Sequence, residues 1–513
     1  MRVCLVNPVH LSIGSRVPGE LLPPLGLLAI GGPLLDAGHD VTLINGDLDP
    51  APDQVIVDRV LAQAPQVVMI GHSGSTSAHP TVLSYVRWLK QRAPDVMIVY
   101  GGVYPSYHWQ DVLAQCNDID VIVRGEGEAT CLALIDALET GAPLQSVPGV
   151  AYRGEHGPRA TRPAPMIKDL DAYRIGWDLI DLDRHSYWGG RKAVVMQFSR
   201  GCPHLCTYCG QRGFWTQWRS RDPVKFAAEI AWLVREHGVE LVNLADENPT
   251  SSRRRWKAFL EALIAEDVQV SLIGSTRADD IVRDADILPL YKKAGCLRFL
   301  LGLEGTDEAT LATLQKGGTR SKDRQAIDLL RQHGMIGLCT FAVGFAEETD
   351  ADYARLLRQL LRYDPDQVMS IYATPHRWTP FYAEAKSRDV IQPDLRRWDY
   401  KHQVMRVPRV PAWRVFLWVK VIELVLQLRP RALWRNWLHP DPEIRHAMRW
   451  YTRMGRGVIL SELADILWRA PRRRAGSVAT FLGEETQLDE NAMDNGRPRA
   501  SVTASQNVAQ DLL

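Results

Sequence analysis

The 513-residue sequence predicts an α/β protein with two successive series of strand–helix units: a doubly wound parallel sheet, then a partial (β/α)6 barrel, with a helical region after them. Three observations carry this reading. Short β-branched and apolar runs alternate with helical stretches over residues 1–140, and the same alternation resumes over 191–380. Past about residue 380 the strand-like runs stop, and Arg and Trp accumulate instead.

Length alone allows roughly two to four domains. The formal net charge of +1 provides no general field for nucleic acid, and no nucleic-acid partner is expected. Met1-Arg2-Val3-Cys4-Leu5-Val6 reads as a strand, not as the core of a signal peptide, and no apolar run reaches the length of a membrane span, so a cytoplasmic location is expected.

In chain order, strands are expected at 3–7, 41–45, 67–71, 97–101 and 121–123. Their carboxyl ends carry Asn7-Pro8, Gly71-His72-Ser73-Gly74-Ser75-Thr76, Gly101-Gly102-Val103-Tyr104-Pro105 and Gly125-Glu126-Gly127-Glu128. Ligands of doubly wound sheets sit beyond such ends, and small residues there let a large flat cofactor approach the backbone. Glycines also end strands in any α/β fold, so these loops alone name no cofactor. Residues 141–190 are rich in Pro, Gly and Arg, with a hairpin turn at 154–158, and read as a linker with short strands. The second series places strands at 193–198, 241–245, 270–273, 298–303, 338–343 and 368–372, with chemistry expected at their carboxyl ends.

Five of the eight cysteines, Cys4, Cys116, Cys131, Cys296 and Cys339, are scattered and read as reduced thiols. The other three share one loop, Cys202-Pro203-His204-Leu205-Cys206-Thr207-Tyr208-Cys209, directly after the first strand of the second series. Three thiolates can hold three irons of a cubane and leave the fourth open, whereas electron-transfer clusters take four. The alternative is a zinc site completed by His204 or a distant residue, although zinc modules pair two close ligands with a second, distant pair.

A three-cysteine loop with an aromatic before its last cysteine, at the start of a barrel, resembles the radical S-adenosylmethionine superfamily. The resemblance implies a 4Fe-4S cluster on Cys202, Cys206 and Cys209, S-adenosylmethionine chelated by its open iron, and reductive cleavage to a 5′-deoxyadenosyl radical. An external electron donor such as ferredoxin or flavodoxin is implied with it. Other strand ends fit the same family: Asp246-Glu247-Asn248, Ser275-Thr276-Arg277-Ala278-Asp279 and Gly302-Leu303-Glu304-Gly305. By resemblance, Tyr208, Arg277 and Glu304 contact S-adenosylmethionine; the other reading makes Arg277 and Glu304 a structural ion pair and Tyr208 a packing residue.

Pro23-Pro24-Leu25-Gly26-Leu27-Leu28, followed by Leu34-Leu35-Asp36-Ala37-Gly38-His39-Asp40-Val41, resembles the cobalamin-binding domain fused ahead of this barrel in one branch of the superfamily. This implies cobalamin over the carboxyl edge of the first sheet, near Ser73, Gly74, Gly101, Gly102, Gly125 and Gly127. The Asp-x-His-x-x-Gly signature of proteins that give cobalt a histidine is absent, and no protein ligand to cobalt is expected.

Between 386 and 474 the chain carries 20 Lys plus Arg against eight Asp plus Glu, and seven of its 16 Trp. Arg397-Trp398-Asp399-Tyr400-Lys401-His402-Gln403-Val404, with Pro411-Ala412-Trp413-Arg414-Val415-Phe416-Leu417-Trp418, resembles the anaerobic magnesium-protoporphyrin IX monomethyl ester oxidative cyclase family. That resemblance implies a magnesium-porphyrin substrate and closure of its isocyclic ring with oxygen from water, in bacteriochlorophyll synthesis. A tryptophan-rich helical cap with a solvated basic face is the structural alternative, and a cobalamin-dependent radical methyltransferase or a non-catalytic corrinoid sensor are the functional ones. Residues 415–428 set Lys420, Glu423 and Gln427 on one helical face and apolar residues elsewhere, and are expected to be core, with peripheral membrane contact as the other reading.

The expected organisation is a cobalamin-binding domain over 1–140, a linker over 141–190, a radical S-adenosylmethionine barrel over 191–380, a basic Trp-rich helical region over 381–475 and a polar, disordered tail over 476–513.

Overall fold

The computed structural model of the protein describes residues 1–10, 20–72, 76–204, 206–211, 213–215, 217–303, 320–469 and 475–483. Ser73, Gly74 and Glu304, expected as cofactor contacts, lie outside the described residues, as does 484–513.

Strands β1 (Arg2–Asn7), β2 (Asp40–Asn45), β3 (Val67–Ile70), β4 (Met97–Gly101) and β5 (Val121–Val123) are parallel and lie in the order β2-β1-β3-β4-β5. Both faces of β1 are apolar because both are covered. Val3 and Leu5 meet α1 (Leu25–Asp36) and α5 (Glu128–Thr140), while Cys4 and Val6 meet α2 (Asp53–Leu61) and α3 (His79–Arg92) on the opposite side. Helix α4 (Val103–Gln115) covers the same side as α2 and α3. The switch in strand order falls between β1 and β3, where a doubly wound sheet opens its crevice.

The segment read as a linker contributes to this sheet. Strands β6 (Val150–Gly154) and β7 (Gly157–Ala160) form the expected hairpin, but β6 pairs antiparallel with β5 because Val150 and Ala151 bury fully against it. The first sheet therefore runs to residue 160.

The second sheet has the order β16-β15-β14-β13-β12-β9-β8, from β8 (Ser186–Tyr187), β9 (Arg191–Met196), β12 (Leu241–Leu244), β13 (Ser271–Thr276), β14 (Cys296–Gly302), β15 (Ile336–Val343) and β16 (Gln367–Tyr372). Six of the seven strands are parallel, and only β8 runs antiparallel, at the edge. Helices α6 (Pro223–His237) and α7 (Arg253–Ala265) cover its outer face, meeting Val194, Met196, Val242 and Leu244. Ala193, Leu241, Ile273 and Ile336 point the other way and close one end with Trp188 and Trp450. A separate ribbon, β10 (Ser199–Arg200) with β11 (Arg219–Ser220), brackets the cysteine loop.

The C-terminal helices are fastened to the barrel by carboxylates. Asp364 ends α8 (Asp350–Tyr363) in the left-handed region at φ 50° and receives Arg429 at 2.7 Å and Arg435 at 2.6 Å. Arg435 also reaches Asp366 at 3.1 Å. Burial alone would raise the Asp364 carboxyl, but Arg435 and Arg429 outweigh it and hold it below the ordinary carboxylate range. Helix α9 (Ala412–Leu428) departs in part from expectation. Val415, Val419, Ile422 and Leu426 are core, yet the polar face is also turned inward, with Lys420 between Glu423 and Glu462 at 2.5 Å each and Glu423 accepting from Ser370. Trp413, Leu417, Leu424 and Leu428 face outward instead.

The tail expected from 476 starts later. Val478 is fully buried, Phe481 stacks on Trp398 at 5.6 Å, and Val390 donates to Gly476, because two apolar side chains within four residues suffice to dock a short helix at Val478–Leu482.

Replacing Asp364 with Asn keeps its size and its tolerance of positive φ but takes the carboxylate from nearly buried Arg429 and leaves Arg435 with Asp366 alone, which should cost about 3 kcal/mol. Urea unfolding monitored at both far- and near-ultraviolet wavelengths checks this; an unchanged midpoint would show that Asp364 does not anchor these helices.

Candidate active site at the junction of the two sheets

The carboxyl ends of the first sheet and the mouth of the barrel meet through the Gly125–Glu128 loop. Glu126 receives Arg219 at 2.9 Å and 3.0 Å and Arg200 at 3.0 Å, and accepts the Ile167 N–H at 2.7 Å. Glu128 pairs with Arg200 at 2.5 Å. Burial would raise the Glu126 carboxyl, but Arg219 and Arg200 overcome it and hold it low. Both arginines belong to the β10–β11 ribbon, so the clamp sets the entry to the cysteine loop against the first sheet.

The loop starts from a buried carboxyl pair. Asp246, at the end of β12, accepts the N–H groups of Phe198 at 3.0 Å and Ser199 at 2.5 Å and the Ser199 hydroxyl at 2.6 Å. Glu247 accepts the Gly201 N–H at 3.2 Å. Burial exceeds these hydrogen bonds and lifts Asp246 to about 7 and Glu247 to about 8.

Cys202, Cys206 and Cys209 follow, partly buried and unoxidised. Burial pushes the Cys202 thiol up to about 11, with Cys209 and Cys206 adding to the rise and Arg277 opposing it. Among the described residues no three His, Cys, Asp or Glu side chains converge to hold a metal ion, so the loop by itself is not a closed cage. The donor set nevertheless suits iron: a thiol such as Cys202, pushed up by burial, loses its proton to a cationic centre that its sulfur can ligate. Arg277 ends β13 beside this loop and pairs with Asp279 at 3.0 Å, which settles its ionic partner among the described residues. Tyr208 packs in the cluster of Phe381, Tyr382 and Trp398.

From the first sheet a continuous run of rings reaches the same loop. At the β1–β3 switch His10 and His72 lie 5.8 Å apart, and His72 Nε2 is 2.9 Å from the Tyr100 hydroxyl. His79 stacks on Tyr104 at 4.4 Å, and Tyr104 lies 4.5 Å from His108. His108 meets Trp378 edge-on, and Trp378 stacks on Tyr107 at 4.5 Å and on His376 at 4.7 Å. Trp378 Nε1 donates to the Gly210 carbonyl at 2.8 Å, one residue past Cys209, and His376 Nε2 is 2.5 Å from the Tyr400 hydroxyl. Burial drives His79 and His376 down to about 3, so both rings are neutral. Tyr400 has φ 63°, a strained conformation for a residue with a Cβ, held by its place between His376 and Gly210.

Gly101 and Gly102 begin α4 at this edge. Gly102 has φ 113°, which side-chain-bearing residues rarely adopt, and a Cβ there would stand 3.5 Å from the His72 carbonyl, so glycine keeps the backbone edge bare. Gly125 is also in the left-handed region at φ 79°, with open space where a Cβ would project, whereas Gly127 packs against Ile30. The junction therefore fits a flat cofactor on one side and an iron site on the other.

Residues 12–135 match the B12 binding domain family and residues 196–360 the radical SAM superfamily. Over 476 residues the chain is 58% identical to the anaerobic magnesium-protoporphyrin IX monomethyl ester cyclase of a Synechocystis strain, covering 93% of this chain and 95% of that protein. The chain belongs to this cyclase family. A second member, from Rubrivivax gelatinosus, is 31% identical over 79% of this chain and 74% of its own length. In fold the protein resembles the radical S-adenosylmethionine methyltransferase TsrM of Kitasatospora setae, solved with cobalamin and a 4Fe-4S cluster, at a TM-score of 0.67 and 14% identity over 90% of this chain and 99% of that one. The cofactors of the family are a 4Fe-4S cluster, S-adenosylmethionine and cobalamin.

The sequence reading missed the Glu126 clamp and the ring column. Four of the 14 histidines, at 10, 72, 79 and 108, stand in or near the strand-end segments of the first series, and that clustering is the one signal that pointed to the column.

Glu247, lifted to about 8 from an unfolded value near 4.3, adds stability that is complete at low pH and lost as pH rises through 8, at about 1 kcal/mol per pH unit between the two values. Glu247→Gln should flatten this slope, as measured by melting temperature between pH 6 and about 9; parallel curves for the two proteins would exclude Glu247 as the titrating group.

Proposed function

We propose that this chain catalyses the anaerobic oxidative cyclisation of magnesium-protoporphyrin IX 13-monomethyl ester to 3,8-divinyl protochlorophyllide, forming the isocyclic ring with oxygen from water in bacteriochlorophyll synthesis. The supporting observation is near end-to-end identity with the Synechocystis cyclase, which includes the C-terminal region beyond the two cofactor-family matches. The functional units are proposed as 1–140 with the hairpin at 150–160 added to its sheet, the rest of 141–190 as the connection, 191–380, and 381–475 with the helix at Val478–Leu482 added to it.

When bound, the cluster with S-adenosylmethionine supplies a 5′-deoxyadenosyl radical able to take hydrogen from an unactivated carbon, and cobalamin supplies a cobalt centre. Cys202, Cys206 and Cys209 are the proposed iron ligands, held at the barrel mouth by Asp246 and Glu247 through Phe198–Gly201. Arg277, paired with Asp279 and beside Cys202 and Cys206, is proposed to bind polar groups of S-adenosylmethionine, with Tyr208 and Glu304 as further proposed contacts. Gly101, Gly102, Gly125 and Gly127, with Ser73 and Gly74, are proposed for cobalamin. Trp378, Tyr107 and Phe214 exclude water from the junction. Electrons come from an external donor of the ferredoxin or flavodoxin kind.

Replacing any one of Cys202, Cys206 or Cys209 with Ala should abolish reductive cleavage of S-adenosylmethionine and lower bound iron, read by iron analysis and 5′-deoxyadenosine release; full iron content with normal cleavage in the triple variant would remove these ligands from the assignment. The reaction itself is tested anaerobically in oxygen-labelled water with the porphyrin ester, reductant and S-adenosylmethionine. A labelled keto group on a closed fifth ring is expected. S-adenosylhomocysteine with a methylated porphyrin would establish a cobalamin-dependent methyltransferase instead.

A further inference from the structure

The C-terminal helices carry apolar side chains on both sides. Helix α9, α10 (Pro430–Trp437) and α11 (Pro442–Arg469) pack against one another on the barrel and, beside core residues such as Val415, Val419 and Ile422, turn charged and amide groups inward: Lys420 and Glu423 from the first, Arg435 and Asn436 from the second, Glu462 from the third. Their outer faces carry further large apolar residues. Among the described residues, eleven of the fifteen large hydrophobic side chains that stand exposed fall between Trp413 and Leu463. Trp413, Leu417, Leu424 and Leu428 follow helical spacing on a single face of α9, and Trp437 and Leu438, 63% and 69% exposed, continue it on α10. A solvated surface gains nothing from this arrangement, so the face is covered when the protein works.

The charge around the face identifies what covers it. Residues 409–456 carry ten Lys plus Arg against three Asp plus Glu. Arg431 is 76% exposed. Arg449 stands over Trp437 at 4.9 Å and, with Arg453 and Arg456, lines one face of α11 that continues into the exposed Leu460. A second copy on a two-fold axis would set this basic face against itself. Residues 484–513 carry few large apolar side chains, Leu488, Met493, Val502, Val508, Leu512 and Leu513, too few to cover eleven. Exposed Trp and Leu ringed by Arg is the pattern of a helix lying in the headgroup layer of an anionic bilayer, with its rings at the interface and its guanidiniums on the lipid phosphates. Among the described residues no helix is long and apolar enough to cross a membrane, so contact is by lying on the surface.

We propose that the outer face of α9, α10 and residues 449–460 of α11 docks the protein onto an anionic lipid surface. The inference does not depend on the reaction assigned above.

The test uses the full-length, cofactor-reconstituted protein under anaerobic conditions, with phosphatidylcholine vesicles made with or without phosphatidylglycerol. Co-flotation should require phosphatidylglycerol and fall as salt is raised. The triple variant Trp434→Ser, Trp437→Ser, Leu438→Ser and, separately, Leu424→Ser with Leu428→Ser should each lower the bound fraction about tenfold with iron and cobalamin content unchanged. Equal flotation of both variants and the parent would overturn the assignment of this face, and absence of flotation altogether would overturn the proposal. If light scattering instead shows a concentration-dependent dimer that both variants lose, with no vesicle binding, the covering partner is a second copy and the lipid proposal fails.

Discussion

Glu126 lies between Gly125 and Gly127 at the end of β5 and receives two guanidiniums from the ribbon that brackets the cysteine loop. Its side chain is almost entirely buried, so the attraction is weakly screened; without it Arg219 would lose its carboxylate and Arg200 would keep Glu128 alone. Because the same carboxylate accepts the Ile167 N–H, the connecting segment is tied down at the same point. The separation between the edge of the first sheet and the mouth of the barrel follows from this clamp. The ring column from His72 to Trp378 spans a gap that the clamp sets, and Arg377 closes its far side on Asp111 and His108.

Within that gap burial keeps polar groups neutral. His79 and His376 are too acidic to carry a proton near neutral pH, and Asp246 and Glu247 hold theirs into the range where carboxyls are ordinarily ionised. Formal charge stays on the perimeter, in compensated pairs such as Glu126–Arg219 and Arg277–Asp279. A radical made in such a place meets few exchangeable charges and little water. The same environment favours anionic sulfur only when a cation is present to balance it, which matches the upward push of burial on the Cys202 thiol.

The C-terminal helices obey the opposite rule on their two sides. Their inner contacts join core residues such as Val415 and Ile422 to ion pairs around Asp364 and Lys420, and the planar guanidinium fork on Asp364 fixes orientation. The outer side carries large apolar residues together with exposed arginines such as Arg431. Helical periodicity alone shows that α9 has a polar stripe and an apolar remainder; the core reading holds for Val415, Val419, Ile422 and Leu426, and the polar stripe turns inward beside them.

The sequence by itself determined the two strand series, their order of appearance and the place of the three-cysteine loop after the first parallel strand of the second series. These are local properties: period-two burial, turn chemistry and the spacing of three thiols each act within about ten residues. Tertiary structure alone decided the rest. The Glu126–Arg219 contact joins residues 93 apart and the His108–Arg377 contact residues 269 apart, and no local pattern marks either partner. The hairpin at 150–160 joined the first sheet because the β5 edge was open to it, and the Val478–Leu482 helix docked because Trp398 offered a ring to stack on. Burial of a charge becomes affordable only where its partner arrives from a distant element, so the inward face of α9 could be assigned only once Glu462 and Ser370 stood opposite Lys420 and Glu423.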